Sequence, residues 1–467
     1  MLKKRSLSLL LLLFVVFTQL YAQQNTKGID SKMLEEISKA YKNTAEDKAL
    51  RNAIANNDIN KLATNNEVVK NVDTYFSNKV NIKGMTNQKS SGRCWIFTGL
   101  NVFRAKMIAK YNLSNFEFSQ NYVFFWDQLE KSNLFLQAII DTRHKDKNDK
   151  TVEWLFKNPI GDGGQFTGVK DLVTKYGLVP KEIMPETNTS ENTGRMSNLL
   201  SLKLREYGLE LREMGSQKNM NEAALLKRKT EMLATVYRIL VLNLGQPPTD
   251  FTWTLKDNSG KPIHTKEYTP LTFYKEYVNE DLSNYLMFMN DPTREYYKVY
   301  EIEYDRHVYD GGNWKYLNLP MEDIKEMAIA SLKDSTSMYF SCDVGKFFYR
   351  DNGSLDINNY DYASLLGTTF SMNKKQRIET FASSSAHAMS LCGVDLDKEG
   401  KPIKWLIENS WGTIGHNGFL IMTDEWFDEY MFRLVVEKKY VKKVLLDYFN
   451  QKPIQLPPWD PMFADEE

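Results

Sequence analysis

The chain has 467 residues, which by a length prior of about 150 residues per domain allows about three structural units. Its 42% hydrophobic residues support a large buried core and exclude a disordered protein. The 60 basic and 60 acidic residues balance, so no overall positive field attracts nucleic acid, and no nucleic-acid partner is predicted.

The first 22 residues have the order of a secretory signal. A basic start at residues 3–5 precedes an apolar run at residues 9–17, and the small residue Ala22 stands before a polar stretch. The uncharged run is shorter than the ~20 apolar residues that a spanning helix needs. We therefore expect a signal peptide over residues 1–22, cleavage near Ala22, export to the periplasm or the medium, and no stable membrane insertion.

Three cysteines are present, Cys94, Cys342 and Cys392. An odd, small number does not suggest a disulfide framework in an exported protein, so at least one thiol is free. Cys94 follows a loop of one Gly and two Ser and opens an apolar pattern that predicts a helix up to Lys110. A helix N-terminus favours the thiolate. A buried structural cysteine is the commoner fate of a lone thiol, but the loop before Cys94 indicates a nucleophile.

Helical patterns come first along the chain and strands come last. Further helices are predicted over residues 119–129, over residues 166–176 with Gly177 as a C-terminal cap, and across residues 195–245. Strands are predicted at Met338–Cys342, at 387–394, at 403–408 and at 418–422. This order predicts an α+β protein whose helical half and β-rich half face each other across a cleft.

Three polar side chains are candidate partners of Cys94. Gln88 lies six residues before the thiol and can present its amide where an oxyanion would form. His387 opens a predicted strand among small residues, which leave room for the imidazole to face a cleft. The amide oxygen of Asn409 can accept from one imidazole nitrogen and leave the other for the thiol. Taken alone, His387 has the plainer interpretation of a core histidine, and Asn409 that of a turn residue.

Metal and nucleotide chemistry have little support in the sequence. It contains no His-Glu-x-x-His, no paired Cys-x-x-Cys and no Walker-type glycine loop. We therefore predict no metal site and no cofactor.

Eight segments together resemble the papain-like cysteine peptidases, in particular the bleomycin hydrolase or aminopeptidase C branch. They are Gln88 to Phe97, Asp162 to Gln165, Lys175 to Pro180, Cys342 to Lys346, Ala386 to Met389, Glu408 to Gly412, Met422 to Phe427 and Leu456 to Met462. Papain places its histidine ~130–150 residues after the cysteine. Here the gap is 293 residues, and the excess fits an insertion that this branch carries.

The resemblance implies a division of the chain and a set of roles. Cys94 attacks the peptide carbonyl as a thiolate paired with the His387 imidazolium, and His387 then protonates the departing amine and activates water. Asn409 orients His387. Gln88 and the Cys94 N–H form the oxyanion hole. The implied segments are a signal peptide (1–22), an N-terminal arm (23–80), a helical half (81–194), an insertion (195–300), a β-rich half (301–449) and a C-terminal arm entering the cleft (450–467).

The resemblance to this branch also implies a class of substrate and an oligomeric state. Gly163 and Gly164 pair with the strand of a peptide substrate, and the end of the chain, with Glu467, meets the substrate amine, which makes the enzyme an aminopeptidase with possible bleomycin-type amide cleavage. A homohexamer is implied as well. The acidic tail departs from the family pattern, so an exported endopeptidase on the same fold is an alternative. A non-catalytic binding protein is a third interpretation, which the intact Gln88, Cys94, His387 and Asn409 oppose.

Overall fold

The structure is a computed structural model and describes residues 27–218 and 220–462. The residues form two compact units, divided between Thr64 and Asn65. The described part of the first unit is helical, and a side chain caps the start of each helix, which satisfies amide groups that have no partner within the helix. Its helices are Ser31–Ala40, Ala45–Asn56 and Ile59–Ala63. The segment boundaries inferred from the sequence stay predictions.

The second unit places most of its helices before its strands. Its helices are Asn66–Val69, Cys94–Tyr111, Gln120–Asp141, Lys150–Lys157, Phe166–Tyr176, Asn188–Glu191, Gly194–Gly215, Glu222–Leu244, Pro270–Tyr277, Met321–Lys333, Tyr362–Leu366, Lys374–Glu379, Ile414–Asn417, Asp424–Tyr430 and Lys443–Tyr448, with 3₁₀ turns at Leu282–Asn284 and Lys438–Tyr440. Among the described residues, no helix is both long and apolar enough to cross a membrane.

The strands of this unit form one large sheet and one separate hairpin. They are β1 (Asn78–Lys79), β2 (Phe251–Lys256), β3 (Pro262–Tyr268), β4 (Tyr285–Met289), β5 (Val299–Ile302), β6 (Lys315–Asn318), β7 (Met338–Cys342), β8 (Phe348–Tyr349), β9 (Ser354–Leu355), β10 (His387–Leu396), β11 (Pro402–Glu408), β12 (Phe419–Thr423), β13 (Met431–Glu437) and β14 (Ile454–Leu456). The sheet runs β14-β5-β6-β4-β13-β7-β10-β11-β12-β9-β8, with β1 also on β10, while β2 and β3 form the hairpin.

Helix Cys94–Tyr111 lies between the two halves. It packs on helix Phe166–Tyr176 and on β10, and it is buried nearly throughout its length. One hydrophobic cluster contains the apolar residues of these helices together with Tyr339, Ala388 and Val435 from the sheet. Helix Cys94–Tyr111 therefore lies directly against β10, the strand that begins at His387.

Most of the predicted elements are present, with two differences. Helix Phe166–Tyr176 ends at Gly177, whose φ of 77° favours glycine. The helix predicted to end at residue 129 continues to Asp141, because residues 135–140 supply a further buried apolar face. The helical stretch predicted across residues 195–245 is two helices that both pack on Gln120–Asp141.

Candidate active site

Cys94 is the first residue of its helix, and its side chain is only 5% exposed. The turn before it is held in place by Arg93. The Arg93 carbonyl accepts from the N–H groups of Ile96 at 3.0 Å and Phe97 at 3.1 Å, and its buried guanidinium pairs with Glu186 at 2.9 Å. The thiol thus lies at the positive end of a buried helix, where a thiolate is favoured.

His387 opens β10 and is nearly buried. Its Nε2 lies 2.8 Å from Oδ1 of Asn409, which follows the neighbouring strand β11. The ring of Trp411 stacks on the imidazole with a centroid separation of 4.6 Å. Since Nε2 is bonded to Asn409, Nδ1 is the nitrogen that remains for a proton from the thiol.

Burial lowers the pKa of His387 from its ordinary 6.5 to about 4, and the hydrogen bond to Asn409 opposes this shift. The environment of His387 therefore favours the neutral imidazole near pH 7. The resting imidazolium implied by the family resemblance stays a prediction. A neutral imidazole is the form that accepts a proton from a thiol.

Ser410 links Gln88 to Asn409. The Ser410 hydroxyl donates to Oε1 of Gln88 at 2.6 Å, and the Ser410 N–H donates to Oδ1 of Asn409 at 2.8 Å. The Gln88 N–H in turn donates to the Ser410 carbonyl at 2.8 Å. The Gln88 amide nitrogen donates to the Ser91 carbonyl at 2.7 Å, so one of its two hydrogens is used within the loop.

A buried ion pair that the sequence pattern did not predict joins helix Cys94–Tyr111 to the strand before Asn409. Arg104 lies ten residues after Cys94 and pairs with Glu408, the last residue of β11. Both side chains are 1% exposed. Burial raises the pKa of Glu408, and the charge of Arg104 opposes that rise. The signal in the sequence was an arginine on an apolar helix, which requires a buried acid as its partner.

The predicted substrate-binding glycines lie in the loop of residues 161–165 before helix Phe166–Tyr176, which we call the glycine loop. A Cβ at Gly164 would lie 2.4 Å from Cε1 of His307 and 2.6 Å from Cε2 of Trp95, so no larger residue fits there. A Cβ at Gly163 would meet no atom within 4 Å. Glu467, the third predicted substrate-binding residue, lies outside the described residues.

His307, which was not among the predicted site residues, is 3% exposed. Its Nδ1 lies 2.5 Å from Oδ1 of Asp127, and Asp127 also pairs with Lys131 at 3.0 Å. Burial opposes ionisation of Asp127, but the charges of Lys131 and His307 outweigh it and hold its pKa below the ordinary range. A carboxylate inside an aromatic-rich helix was the available signal for this cluster.

The C-terminal arm is anchored close to the glycine loop from β14 to Met462. β14 pairs with β5, and Asp460 pairs with Arg294. The Met462 carbonyl accepts from Nη2 of Arg433 at 2.8 Å. Nη1 of the same arginine donates to Oε1 of Gln165, next to Gly164, at 2.7 Å. The arm is thus held beside the loop up to Met462.

Comparison with known proteins adds four findings. The model of the Peptidase C1-like family matches residues 28–463. Bleomycin hydrolase of Rattus norvegicus is 37% identical over 94% of this chain and 99% of its own length. Aminopeptidase C of Listeria monocytogenes is 39% identical over 92% of this chain and 97% of its own. The crystal structure of PepW from Lactobacillus rhamnosis superposes with a TM-score of 0.91 at 38% identity, covering 94% and 99% of the two chains.

These comparisons confirm the predicted family resemblance, the papain-like α+β fold class and an enzyme of the cysteine aminopeptidase type. They correct the prediction of export, because bleomycin hydrolases and aminopeptidases C are typically cytosolic enzymes. Residues 1–22, on which the signal-peptide prediction was made, lie outside the described residues. By the family match over residues 28–463 and the curated relatives, the chain belongs to the Peptidase C1-like family.

Proposed function

We propose that this protein removes N-terminal residues from peptides through a thioester acyl-enzyme on Cys94. The observation that carries the proposal is the geometry of His387. Its Nε2 is bonded to Asn409 at 2.8 Å, and its strand packs against the helix that begins at Cys94. This arrangement suits a base that is oriented by one nitrogen and reacts through the other.

The reaction begins with a proton transfer from Sγ of Cys94 to Nδ1 of His387. The thiolate adds to the carbonyl carbon of the scissile peptide bond, and the carbonyl oxygen takes the negative charge. As the C–N bond breaks, the His387 imidazolium gives its proton to the departing amine and leaves a thioester. Water then attacks the thioester while His387 takes its proton, and the acid product and the thiol are released.

The oxyanion is stabilised by two donors, the Cys94 N–H and the second hydrogen of the Gln88 amide. Ser410 and Ser91 hold that amide through its oxygen and its first hydrogen. A donor fixed before the reaction needs no reorganisation when the charge develops, and one such donor typically contributes ~3–4 kcal/mol. The same chemistry serves any accessible amide, including a bleomycin-type carboxamide.

The aminopeptidase mode is assigned to the acidic residues after Met462. The arm is anchored up to Met462 by Arg433, next to Gln165, which supports a role of the chain end in selecting the substrate. Asp465, Glu466 and Glu467, which lie outside the described residues, carry the negative charges that attract the charged α-amine of a substrate and exclude longer chains. Endopeptidase activity is the outcome expected if these residues do not select the amine.

A homohexamer remains part of the proposal through the family resemblance. Light scattering after gel filtration measures it directly. A monomer or dimer at assay concentration would refute the hexamer without affecting the chemistry.

The test of the nucleophile compares two cysteine variants. Cys94→Ser should lower hydrolysis of aminoacyl substrates by about 10⁴-fold or more, because the serine hydroxyl is a far weaker nucleophile beside this base. Cys392→Ser is the matched control, since Cys392 is fully buried and its Sγ donates to the Leu406 carbonyl at 3.4 Å, as a hydroxyl also can. More than a trace of turnover by pure Cys94→Ser would refute the assignment.

A further inference from the structure

Three consecutive carbonyls of the glycine loop point to donors beneath it. Nζ of Lys131 donates to the carbonyl of Gly161 at 3.0 Å and to that of Gly163 at 2.5 Å. Between them, the indole N–H of Trp95 donates to the carbonyl of Asp162 at 2.8 Å. Nε2 of Gln128 also donates to the Gly161 carbonyl at 3.0 Å. Lys131, Gln128 and Trp95 therefore set the orientation of three successive peptide planes, and among the described residues Lys131 is the donor to the Gly163 carbonyl.

Because each peptide is planar, the direction of its carbonyl also fixes the direction of its N–H group. In a trans peptide the N–H points opposite to the carbonyl of the preceding residue, and the described residues contain no cis peptide. The N–H groups of Asp162, Gly163 and Gly164 therefore point away from Lys131 and Trp95. Within the described part of the chain, these three N–H groups donate to no protein acceptor. They form a short row of donors beside the helix that begins at Cys94.

Lys131 is itself held in place. It pairs with Asp127 at 3.0 Å, and its side chain is 15% exposed. Asp127 is bonded on its other oxygen to His307, whose ring fills the space under Gly164. The ammonium group also lies 5.5 Å from the centre of the Trp95 ring. The position of Nζ is thus set by an ion pair on one side and an aromatic face on the other.

We propose that Lys131 is a positioning residue for substrate binding. By fixing the Gly163 carbonyl, and the Gly161 carbonyl together with Gln128, it turns the N–H of Gly164 and helps to turn that of Asp162 outward, where such groups donate to the carbonyl oxygens of an extended peptide. The inference rests on the proposed function and on the substrate-binding role that the family resemblance implies for Gly163 and Gly164. Lys131 itself touches neither the substrate nor the reacting atoms.

The mutational test separates binding from chemistry. Lys131→Met keeps the length of the side chain and removes its donors, so the peptide between Gly163 and Gly164 is no longer held, while Gln128 and Trp95 still hold the Gly161 and Asp162 carbonyls. We expect KM for peptide substrates to rise about tenfold, the equivalent of one or two lost hydrogen bonds, with kcat changed less than threefold. The rate of Cys94 alkylation by iodoacetamide, a reagent too small to need the loop, should stay within about twofold of the wild type. Lys131→Arg keeps charge and donors and should recover part of the loss in KM.

A control variant and two contrary outcomes test whether Lys131 acts on substrate binding. Lys157→Met removes a lysine whose side chain is 69% exposed, and it should change neither KM nor alkylation. If Lys131→Met folds poorly, Lys131→Gln is assayed in the same way. An unchanged KM with a lowered Tm would show a structural role only and overturn the inference. A parallel loss of alkylation would show that Lys131 acts on Cys94 through Trp95, which also overturns it. Failure of the proposed function would instead appear in the wild type, as absent labelling of Cys94.

Discussion

The environment of a single imidazole determines the acid limit of this site. His387 is enclosed by Trp411 on one face and bonded to Asn409 at one nitrogen. Desolvation disfavours the charged ring, which is why its pKa is lowered to about 4. A base that stays neutral down to this pH can accept the thiol proton over a wide acidic range.

The pH profile of kcat/KM tests whether the pKa of His387 is lowered in this way. Below its pKa the imidazole already carries a proton and cannot take one from Cys94, so kcat/KM should rise with pH through a limb near 4 and be level at pH 6. Each assay includes a sample returned to neutral pH to separate reversible titration from unfolding. A limb near the ordinary histidine value of 6.5 would contradict the desolvated environment.

His387 and His307 show which residues could be predicted from the sequence at this scale. His387 was identified because small residues flank it and an Asn-Ser-Trp segment follows the next strand. His307 was not identified, since its partner Asp127 lies 180 residues earlier in the chain. A local pattern carries information on neighbours a few residues away, whereas a buried acid from another helix leaves no mark beside the histidine itself.

At the scale of the element, a buried ion pair connects helix Cys94–Tyr111 to β11. Helix Cys94–Tyr111 was predicted within one residue from its apolar spacing. Its connection to the sheet is made by Arg104 and Glu408, and Glu408 immediately precedes Asn409. The pair therefore relates the position of the thiol to that of the residue that orients His387.

Breaking this pair should affect both stability and catalysis. Arg104→Met leaves Glu408 buried without its charge partner, which typically costs about 3–5 kcal/mol of unfolding free energy. We expect a lowered Tm and a lower kcat, because Asn409 follows Glu408. The double variant Arg104→Met/Glu408→Gln removes both charges and should regain much of the Tm. A single variant as stable as the wild type would show that the pair does not connect helix and strand in the way we describe.

At the scale of the whole molecule, the C-terminal arm returns to the catalytic half. It adds β14 beside β5 and ends its described course at Met462, which is bound to Arg433. Arg433 in turn contacts Gln165 in the glycine loop. The arm, the sheet and the loop thus meet at one arginine on β13.

Deletion of residues 463–467 tests the assignment of the acidic tail. We expect hydrolysis of free-amine dipeptide substrates to fall at least tenfold, because the carboxylates that attract the amine are lost. On the proposal that the tail also excludes longer chains, peptides with a blocked N-terminus should become substrates. The readout is the ratio of kcat/KM for the free and the blocked forms of one peptide.

A charge-matched control distinguishes attraction from blocking. The variant Asp465→Asn/Glu466→Gln/Glu467→Gln keeps the length of the tail and removes its side-chain charges. It should weaken the preference for a free amine without admitting blocked peptides. A truncated enzyme with an unchanged preference would show that the tail is not what selects the amine.

The sequence by itself determined the local elements and the identity of the candidate catalytic residues. Helix Phe166–Tyr176, its Gly177 cap and strand β7 follow from periodicity and backbone preference, which act over a few residues. Only the tertiary structure decided the pairings that hold the site, such as Arg104 with Glu408, Lys131 with the glycine loop and Arg433 with Met462. These partners are far apart in the chain, and a buried charge can select any donor or acceptor that folding brings within reach, so the choice is made by packing rather than by pattern.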